Sequence, residues 1–454
     1  MKKRIWIFPI LLLLYFFSIF PALASNTNPF SLYPTARTDS EPSWDKVVSF
    51  DGHLEDDLSN GKEKQMAGAW LLCNGQLRYQ YIDGSYLYNT WATIDKKNYH
   101  FDENGNRQVG WIQSENAWYY LNEDGIMQTG WISLEDGVYY CDGKGVRVSG
   151  WLEDNGNKYY LDENGLRQNG WVTVNDTQYF FNPDGILTTG WVTDENGTYY
   201  LNSDSKKTSG WLELDNKKYY FSGDGRLQTG WQVIGKQAYF FNTANGELTS
   251  LTNSANGKKI ALTFDDGPGP YTDRLLSILS SNNAKATFFV LGENISAYPE
   301  VIRKMEANGN LIGNHSYNHA RLTGLDAAGI SAQINDTNAA LTAVLGHATG
   351  ILRPPYGSYN DFVLQNSGMA SILWSIDTLD WKTKNAAASV LTVLNSVQNG
   401  DIILFHDIHS PSVDAIEILL PTLKDMGYEM VTVADLATSK GISLEVGKSY
   451  SAFH

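Results

Sequence analysis

The feature that most limits how this chain can fold is a repeat with a fixed interval of twenty residues. Trp111, Trp131, Trp151, Trp171, Trp191, Trp211 and Trp231 each follow a glycine and each stand twenty residues after the last. An aromatic pair keeps the same interval, from Tyr119–Tyr120 through Tyr139–Tyr140 to Tyr239–Phe240, and weaker copies begin at Trp70 and Trp91. About nine such units fill residues 66–250. Each unit offers two short strand-like pieces, such as Trp111-Ile112 and Trp118-Tyr119-Tyr120-Leu121, and a glycine-bearing turn such as Asn122-Glu-Asp-Gly125. One hairpin cannot bury its own aromatics, so neighbours must stack and share them. The expectation is an all-β hairpin-repeat solenoid. Most of the rings need do no more than hold such an array together. Aromatic clefts in an acidic surround also suit sugar rings or quaternary ammonium groups.

The pattern at residues 110–131, G-W-x6-W-Y-Y-L-N-x-x-G-x-M-x-T-G-W, resembles the choline-binding and glucan-binding cell-wall repeats of Gram-positive surface proteins. The resemblance implies attachment to a wall polymer or glycan, with choline-bearing teichoic acid as one candidate. Carried onto this sequence, it implies a ligand cage built from Trp111, Trp118, Trp131 and Tyr139. The ring at Trp118 is not repeated: later units have Val138, Lys158, Gln178, Thr198, Lys218 and Ala238 there. Choline and another glycan therefore both remain open as the ligand.

Ahead of the repeats, Lys2, Lys3 and Arg4 precede an apolar run over 5–20, followed by Ala22-Leu23-Ala24. A basic start, a short apolar segment and a small-x-small site form a secretory signal, so residues 1–24 are expected to be cleaved and the protein exported. No later segment is apolar enough for a membrane span. Residues 25–65, polar and rich in Ser, Asp and Pro, read as a flexible spacer. The net charge of −16 argues against nucleic acid as a partner. With only Cys73 and Cys141, this is no disulfide scaffold, and both cysteines read as small hydrophobes in apolar slots.

After a polar junction at 251–258 the pattern changes to apolar strands alternating with helical stretches. Strands are expected at 260–264, 286–290, 311–313, 371–375, 402–405 and 429–432, and helices at 272–281, 299–308, 327–345, 386–397 and 412–426. This alternation across residues 259–440 predicts an α/β domain with a parallel sheet or barrel, leaving 441–454 as a tail. In such folds chemistry gathers at strand C-terminal ends. Leu262-Thr-Phe-Asp-Asp-Gly-Pro-Gly269 seats two carboxylates side by side at one of them. His315 and His319, four apart as on one helical face, have a spacing suited to one metal ion, and Asp266 would complete a three-ligand site open to water. Asp265 could then stay ionised beside it and accept a proton. Arg353 in Arg-Pro-Pro-Tyr-Gly can orient a carboxylate, the Tyr356 N–H can face an oxyanion, and His406 can protonate a departing amine. Asp377-Thr-Leu-Asp380-Trp381 places acid beside an aromatic wall.

The five motifs T-F-D-D-G-P, H-S-x-x-H, R-P-P-Y-G, D-x-x-D-W and L-x-H occur in this order and resemble the signature of the polysaccharide deacetylases, the NodB-like carbohydrate esterases of family four. The resemblance spans roughly residues 259–436. It implies a distorted (β/α) barrel and hydrolysis of N-acetyl groups on polysaccharides. By position it implies Asp265 as catalytic base and Asp266, His315 and His319 as ligands of Zn²⁺ or another divalent cation such as Co²⁺. Arg353 would orient Asp265, and His406 would be the acid supported by Asp380. Trp381 and Leu404 would line the acetyl pocket; Asp377 matches the motif without a defined role. Peptidoglycan N-acetylglucosamine is the expected substrate of a wall-held enzyme. Chitooligosaccharide or exopolysaccharide deacetylation, xylan O-deacetylation, and a non-catalytic wall-binding adhesin are the alternatives.

Overall fold

The computed structural model describes residues 44–53, 67–251 and 257–454. The expected export signal and most of the two expected linkers lie outside these residues. The described chain divides into two units, residues 1–150 with 161–167, and residues 151–160 with 168–454.

Among the described residues the repeat region forms nine antiparallel hairpins, from Ala67–Cys73 with Gln76–Tyr81 to Gly230–Ile234 with Gln237–Phe241. In each regular unit the Gly-Trp glycine pairs with the last apolar residue of the return strand, as Gly110 does with Leu121. That places Trp111 opposite Tyr120 and Ile112 opposite Tyr119. The return strand then turns through an Asx-type loop, in which the Asn122 side chain accepts from the Ile126 N–H at 2.9 Å. The chain next pairs with the preceding hairpin: the Met127 N–H donates to the Asn98 carbonyl at 2.8 Å. This bond recurs as Arg147 to Trp118, Leu187 to Lys158 and Leu227 to Thr198, each at 2.8 Å. The core of the array is the stack of residues such as Phe101, Leu121, Cys141, Leu161, Phe181, Leu201, Phe221 and Phe241, all essentially inaccessible. Cys73 and Cys141 are buried and unpaired, and burial pushes the Cys141 thiol up to about 11.

Within the stretch expected to be a spacer, Trp44–His53 is a strand paired antiparallel with Ala67–Cys73. Its Trp-Asp-Lys-Val-Val-Ser-Phe sequence is aromatic and β-branched enough to extend the first hairpin.

The C-terminal domain is one parallel sheet. Its strand order runs Ile376–Asp377, Ile402–His406, Lys258–Asp265, Ala286–Val290, Leu311–Asn314, Ile351–Leu352, Ala370–Ile372 and Ser449–Tyr450, with Tyr428–Met430 also pairing to Lys258–Asp265. The sheet curls as an open barrel, and its two end strands do not pair with each other. Strand alternation sorts its two faces. On the first strand Ile260, Leu262 and Phe264 join the core under the helices, whereas Ala261, Thr263 and Asp265 face the other way. Helices Thr272–Ser281 and Ala327–Leu345 have the expected bounds. The short strands Ile351–Leu352 and Ile376–Asp377 were not expected, because two residues carry no periodic signal.

The final stretch corrects the sequence reading. Residues 441–454 are not a tail: Ser449–Tyr450 is an edge strand, and Phe453 is 2% exposed in a cluster with Phe289, Ile372 and Ile402. Its N–H donates to the Gly400 carbonyl at 2.8 Å. Phe453→Ala should therefore cost about 3–5 kcal/mol, as expected for truncating a buried aromatic. Chemical denaturation of the full chain checks this, and a midpoint unchanged from the natural sequence would refute the core assignment.

Candidate active site

Asp265 ends its strand directly beside His406, the last residue of the neighbouring strand, and the two are in register. The alternation that turns Phe264 and Phe405 into the core turns both of these side chains onto the opposite face. Asp265 is held from behind by Arg353, which is completely inaccessible. Every guanidinium nitrogen is used: Nη1 donates to Asp265 Oδ1 at 2.8 Å and to Thr263 Oγ1 at 2.7 Å, Nε to the Ile372 carbonyl, and Nη2 to the Leu373 carbonyl. The guanidinium also lies over the Phe289 ring, 4.3 Å from its centre. Asp265 can thus be oriented by one oxygen while the other remains for chemistry.

Asp266 adopts a positive φ of 70°, which turns its side chain away from its neighbour's. His315 and His319 do not share a helical face, as their spacing suggested. They lie in an irregular loop after Leu311–Asn314, with Ser316 and His319 at positive φ. The loop is pinned by its own residues. Asn314 Oδ1 accepts from the Ser316 N–H at 2.8 Å, and Gln333 accepts from the Tyr317 N–H at 2.9 Å. A loop can present two imidazoles to one point as well as a helix can, provided its backbone is satisfied in this way.

The Asp266, His315 and His319 donor atoms all lie within 4.8 Å of one another. His315 Nδ1 sits 2.7 Å from the Arg353 carbonyl, which can only accept, so Nδ1 carries the hydrogen and Nε2 offers a lone pair. That Nε2 is 3.4 Å from Asp266 Oδ1, and His319 Nε2 is 3.3 Å from the same oxygen. Asp266 Oδ1 is buried and has no hydrogen-bond partner. An orphaned carboxylate oxygen facing two imidazole nitrogens is a donor set that fits a divalent cation. Burial pushes the Asp266 carboxyl up, but the imidazole of His315 and the charges of His406 and His319 outweigh it and hold the group at about 2.

His406 is oriented by Asp380, which is almost fully buried. Asp380 accepts from His406 Nδ1 at 2.9 Å, from the His406 and Trp381 N–H groups at 2.8 Å each, and from Ser412 Oγ. With Nδ1 engaged, His406 Nε2 is the nitrogen left to exchange a proton. Burial pulls the imidazole down, yet the hydrogen bond and charge of Asp380, with smaller contributions from Asp265 and Asp266, raise it to about 9. A cation bound to Asp266 would offset that residue's share.

Asp377 accepts from the Leu379 N–H at 2.9 Å and shapes the turn that carries Asp380. Leu404 is buried on the same strand face as His406, two residues before it. Trp381 keeps its ring 48% exposed. Tyr356 occupies the left-handed region, uncommon for a bulky residue, with its ring 4.5 Å from that of His319 and under the Arg321 guanidinium at 4.6 Å.

Sequence reasoning missed Asp407. It is fully buried, accepts from Thr272 Oγ1 at 2.6 Å through one oxygen, and has no partner on the other. Burial pushes it up to about 7 against the Thr272 hydrogen bond. A Cβ on Gly267 would come within 2.3 Å of Asp407, so the glycine after Asp266 is required by close approach. The Asp-Gly pair in the sequence signalled a turn but not what crowds it.

In the repeats, the structure brings Trp111 to 5.0 Å from Tyr139, ring to ring. Arg147 stands over both Trp111 and Trp118, and Arg167 over Trp131.

Comparison with known proteins agrees with these two halves. Residues 252–371 match the polysaccharide deacetylase model. Residues 89–127, 168–207 and 208–253 match a choline-binding repeat, and 149–166 a putative cell wall binding repeat. The peptidoglycan-N-acetylmuramic acid deacetylase PdaC of Bacillus subtilis is 42% identical over 186 residues, which is 41% of this chain and 40% of that protein. A peptidoglycan-N-acetylglucosamine deacetylase of Bacillus cereus is 36% identical over 194 residues, 41% of this chain and 70% of that protein. The solved structure of PdaC superposes with a TM-score of 0.40 at 42% identity, covering 41% of this chain and 93% of the solved one. The chain thus spans about two fifths of PdaC's length. It belongs to the polysaccharide deacetylase family, and it joins that domain to choline-binding-type repeats.

Two outcomes follow from the geometry. In Asp380→Asn, burial acts on His406 without its main opposing carboxylate, so the imidazole should titrate well below about 9; NMR titration of its ring protons in the metal-free protein measures this. In the natural sequence His406 titrates higher when folded than when unfolded. Its contribution to stability is therefore complete below about pH 6.5 and is lost as pH rises through about 9. A titration unmoved by the substitution would discount Asp380 as the cause. Gly267→Ala should displace the Asp266 turn and weaken Zn²⁺ binding roughly 10–100-fold, as loss of metal-site support does elsewhere, readable by calorimetry. Unchanged affinity would show the contact to be yielding.

Proposed function

We propose that this chain is an exported, metal-dependent N-deacetylase acting on the N-acetylglucosamine of peptidoglycan, held at a Gram-positive wall by its repeats. One observation supports it above the rest: a free Asp266 oxygen faces two imidazoles, while the adjacent Asp265 is fixed by a buried arginine. The residues suited to hold the ion are Asp266, His315 and His319, and Zn²⁺ suits their two-nitrogen, one-oxygen set, with Co²⁺ able to serve. When bound, such an ion polarises the substrate carbonyl and acidifies water.

The remaining work falls to the chain's own groups. Arg353 keeps Asp265 aimed, so that Asp265 takes the proton of the attacking water. The Tyr356 N–H serves as donor to the developing oxyanion, a reading that its left-handed backbone supports. His406 delivers a proton from Nε2 to the departing amine, and the buried Asp380 supports the imidazolium before that step. Leu404 and Trp381 supply apolar surface for the acetyl methyl. The products are acetate and a free amine on the sugar.

The basic and apolar leader at residues 1–24 supports export, and among the described residues no helix is long and apolar enough to cross a membrane. The choline-binding repeat match supports a choline-bearing wall polymer, such as teichoic acid, as the anchor. Wall binding raises the substrate's effective concentration around the site.

Acetate release from purified peptidoglycan, chitin oligomers and acetylated xylan, with and without chelator, tests the reading. Peptidoglycan should be preferred and chelation should abolish turnover. Asp265→Asn should retain the metal while losing about 10²–10⁴-fold in rate. Full activity in that variant would remove Asp265 as the base, and a preference for xylan would redirect the substrate.

A further inference from the structure

The aromatic cages of the repeats fall into two kinds. Each regular cage joins a Gly-Trp tryptophan to the tyrosine twenty-eight residues on, with ring centres 5.0 Å apart for Trp111–Tyr139, 5.1 Å for Trp151–Tyr179, 5.2 Å for Trp171–Tyr199, 5.0 Å for Trp191–Tyr219 and 5.1 Å for Trp211–Tyr239. In the units of Trp111, Trp131, Trp151 and Trp191 the residue thirty-six after the tryptophan donates its N–H to the preceding hairpin, as Arg147 does to the Trp118 carbonyl and Arg167 to that of Val138. What that residue is differs between units.

In some units it is a cation. The Arg147 guanidinium lies 5.5 Å from the Trp111 ring centre and 5.3 Å from that of Trp118, and Arg167 lies 5.7 Å from Trp131. Lys207 Nζ lies 4.1 Å from Trp171 and 4.4 Å from Tyr199. These side chains are steered into place. The Arg147 stem crosses Gly165, where a Cβ would come within 2.7 Å, and the Lys207 stem crosses Gly225 at 3.0 Å. In the units of Trp151 and Trp191 the residue is Leu187 or Leu227, and for Trp211 it is Glu247, paired with Lys217. Those three tryptophans are 44%, 41% and 43% exposed, whereas Trp111, Trp131 and Trp171 are only partly so. Each exposed tryptophan also has a further ring: Phe181 at 5.8 Å, Phe221 at 5.9 Å and Phe241 at 5.7 Å. The covered units have Cys141, Leu161 and Leu201 at that position. Open space accompanies two of the three exposed tryptophans, Trp151 and Trp211. A cavity of about 800 Å³ is lined by Trp151, Tyr179 and Leu187, and one of about 350 Å³ by Trp211 and Tyr239.

The structure assigns Arg147, Arg167 and Lys207 as internal occupants of their cages, closing these to outside cations and leaving the Trp151, Trp191 and Trp211 cages for a quaternary ammonium headgroup. A cage that accepts a guanidinium or ammonium group from its own chain has the electronics to accept one from elsewhere. In the Trp151, Trp191 and Trp211 units, which have no internal cation, a buried aromatic ring backs the tryptophan from the core. The assignment deepens the proposed wall attachment and rests on it for the identity of the ligand. It also moves the ligand cage away from Trp111, Trp118, Trp131 and Tyr139, where the first regular units placed it.

The test is choline titration of the full chain, followed by NMR of assigned indole N–H resonances. The resonances of Trp151, Trp191 and Trp211 should shift and those of Trp111 and Trp171 should not. Arg147→Met and Lys207→Met should add Trp111 and Trp171, respectively, to the responders. Response of Trp111 or Trp171 in the natural sequence, or their silence in the variants while Trp151 responds, overturns the assignment. The Lys207 ε-methylene gives a choline-free readout, since stacking on Trp171 and Tyr199 should displace its protons upfield. Silence of every indole with Lys207 still displaced would remove choline as the wall ligand and leave internal occupancy standing. An undisplaced Lys207 would overturn internal occupancy itself.

Discussion

The catalytic half of this molecule depends on a charge that has no access to water. Arg353 is fully buried, and an uncompensated guanidinium in such a place would cost several kcal/mol. It is tolerable because Asp265, the Thr263 hydroxyl and two backbone carbonyls take four of its five N–H donors. Those carbonyls belong to the Ala370–Ile372 strand and the residue after it, and the aspartate belongs to the first strand of the domain. The arginine therefore ties the two sides of the curled sheet through its interior. The same bond settles how two adjacent carboxylates coexist: Asp265 is turned to the arginine, and Asp266, at positive φ, is turned to the imidazoles.

That arrangement also links the His315 loop to Asp265. The carbonyl of Arg353 receives the His315 Nδ1 hydrogen, so one residue orients Asp265 with its side chain and His315 with its backbone. On the other side of the cleft Asp380 repeats the principle, orienting His406 through both its ring and its backbone N–H. Asp265 and His406, the proposed base and acid, are each held by a buried partner of opposite charge, and the parallel register of their strands sets them side by side. The pKa directions agree with these assignments, with a carboxylate kept ionised by imidazoles and an imidazole kept protonated by a carboxylate.

Much of this was legible in the sequence because chemistry at strand ends leaves local marks. Thr-Phe-Asp-Asp, His-Ser-x-x-His and Leu-x-His could each be placed after an apolar run, and the helices with clear amphipathic or capped patterns, such as Thr272–Ser281 and Ala327–Leu345, have the bounds the pattern suggested. The misses have a common cause. Two-residue strands, the loop geometry of His315 and His319, the burial of Phe453 and the crowding of Gly267 by Asp407 are all set by contacts distant in sequence. A histidine pair four apart fits a helix or a pinned loop equally well, and only the Asn314 and Gln333 hydrogen bonds decide between them. In the repeats, the twenty-residue period was plain, but the two kinds of cage were not. The deciding residue lies thirty-six positions from its tryptophan, beyond the reach of any single-unit pattern.

The last hairpin of the repeats packs directly on the domain that carries the candidate site. Trp231, Val233 and Ala238 pack against the core that includes helices Ala386–Ser396 and Ser410–Asp425, and Lys236 reaches Glu417 at 3.6 Å. An exposed ion pair of this kind adds little, so the apolar contact carries the junction. Trp231 is thereby used as mortar between domains. The neighbouring Trp211 keeps its face open, and the hairpins from 168 onward share one compact unit with the sheet that carries Asp265 and His406. A ligand gripped by the Trp211 or Trp191 cage is then attached to the same body as the reactive groups. An anchor fixed in this way limits which stretches of a surrounding polymer the cleft can meet, a restriction that a flexible tether would not impose.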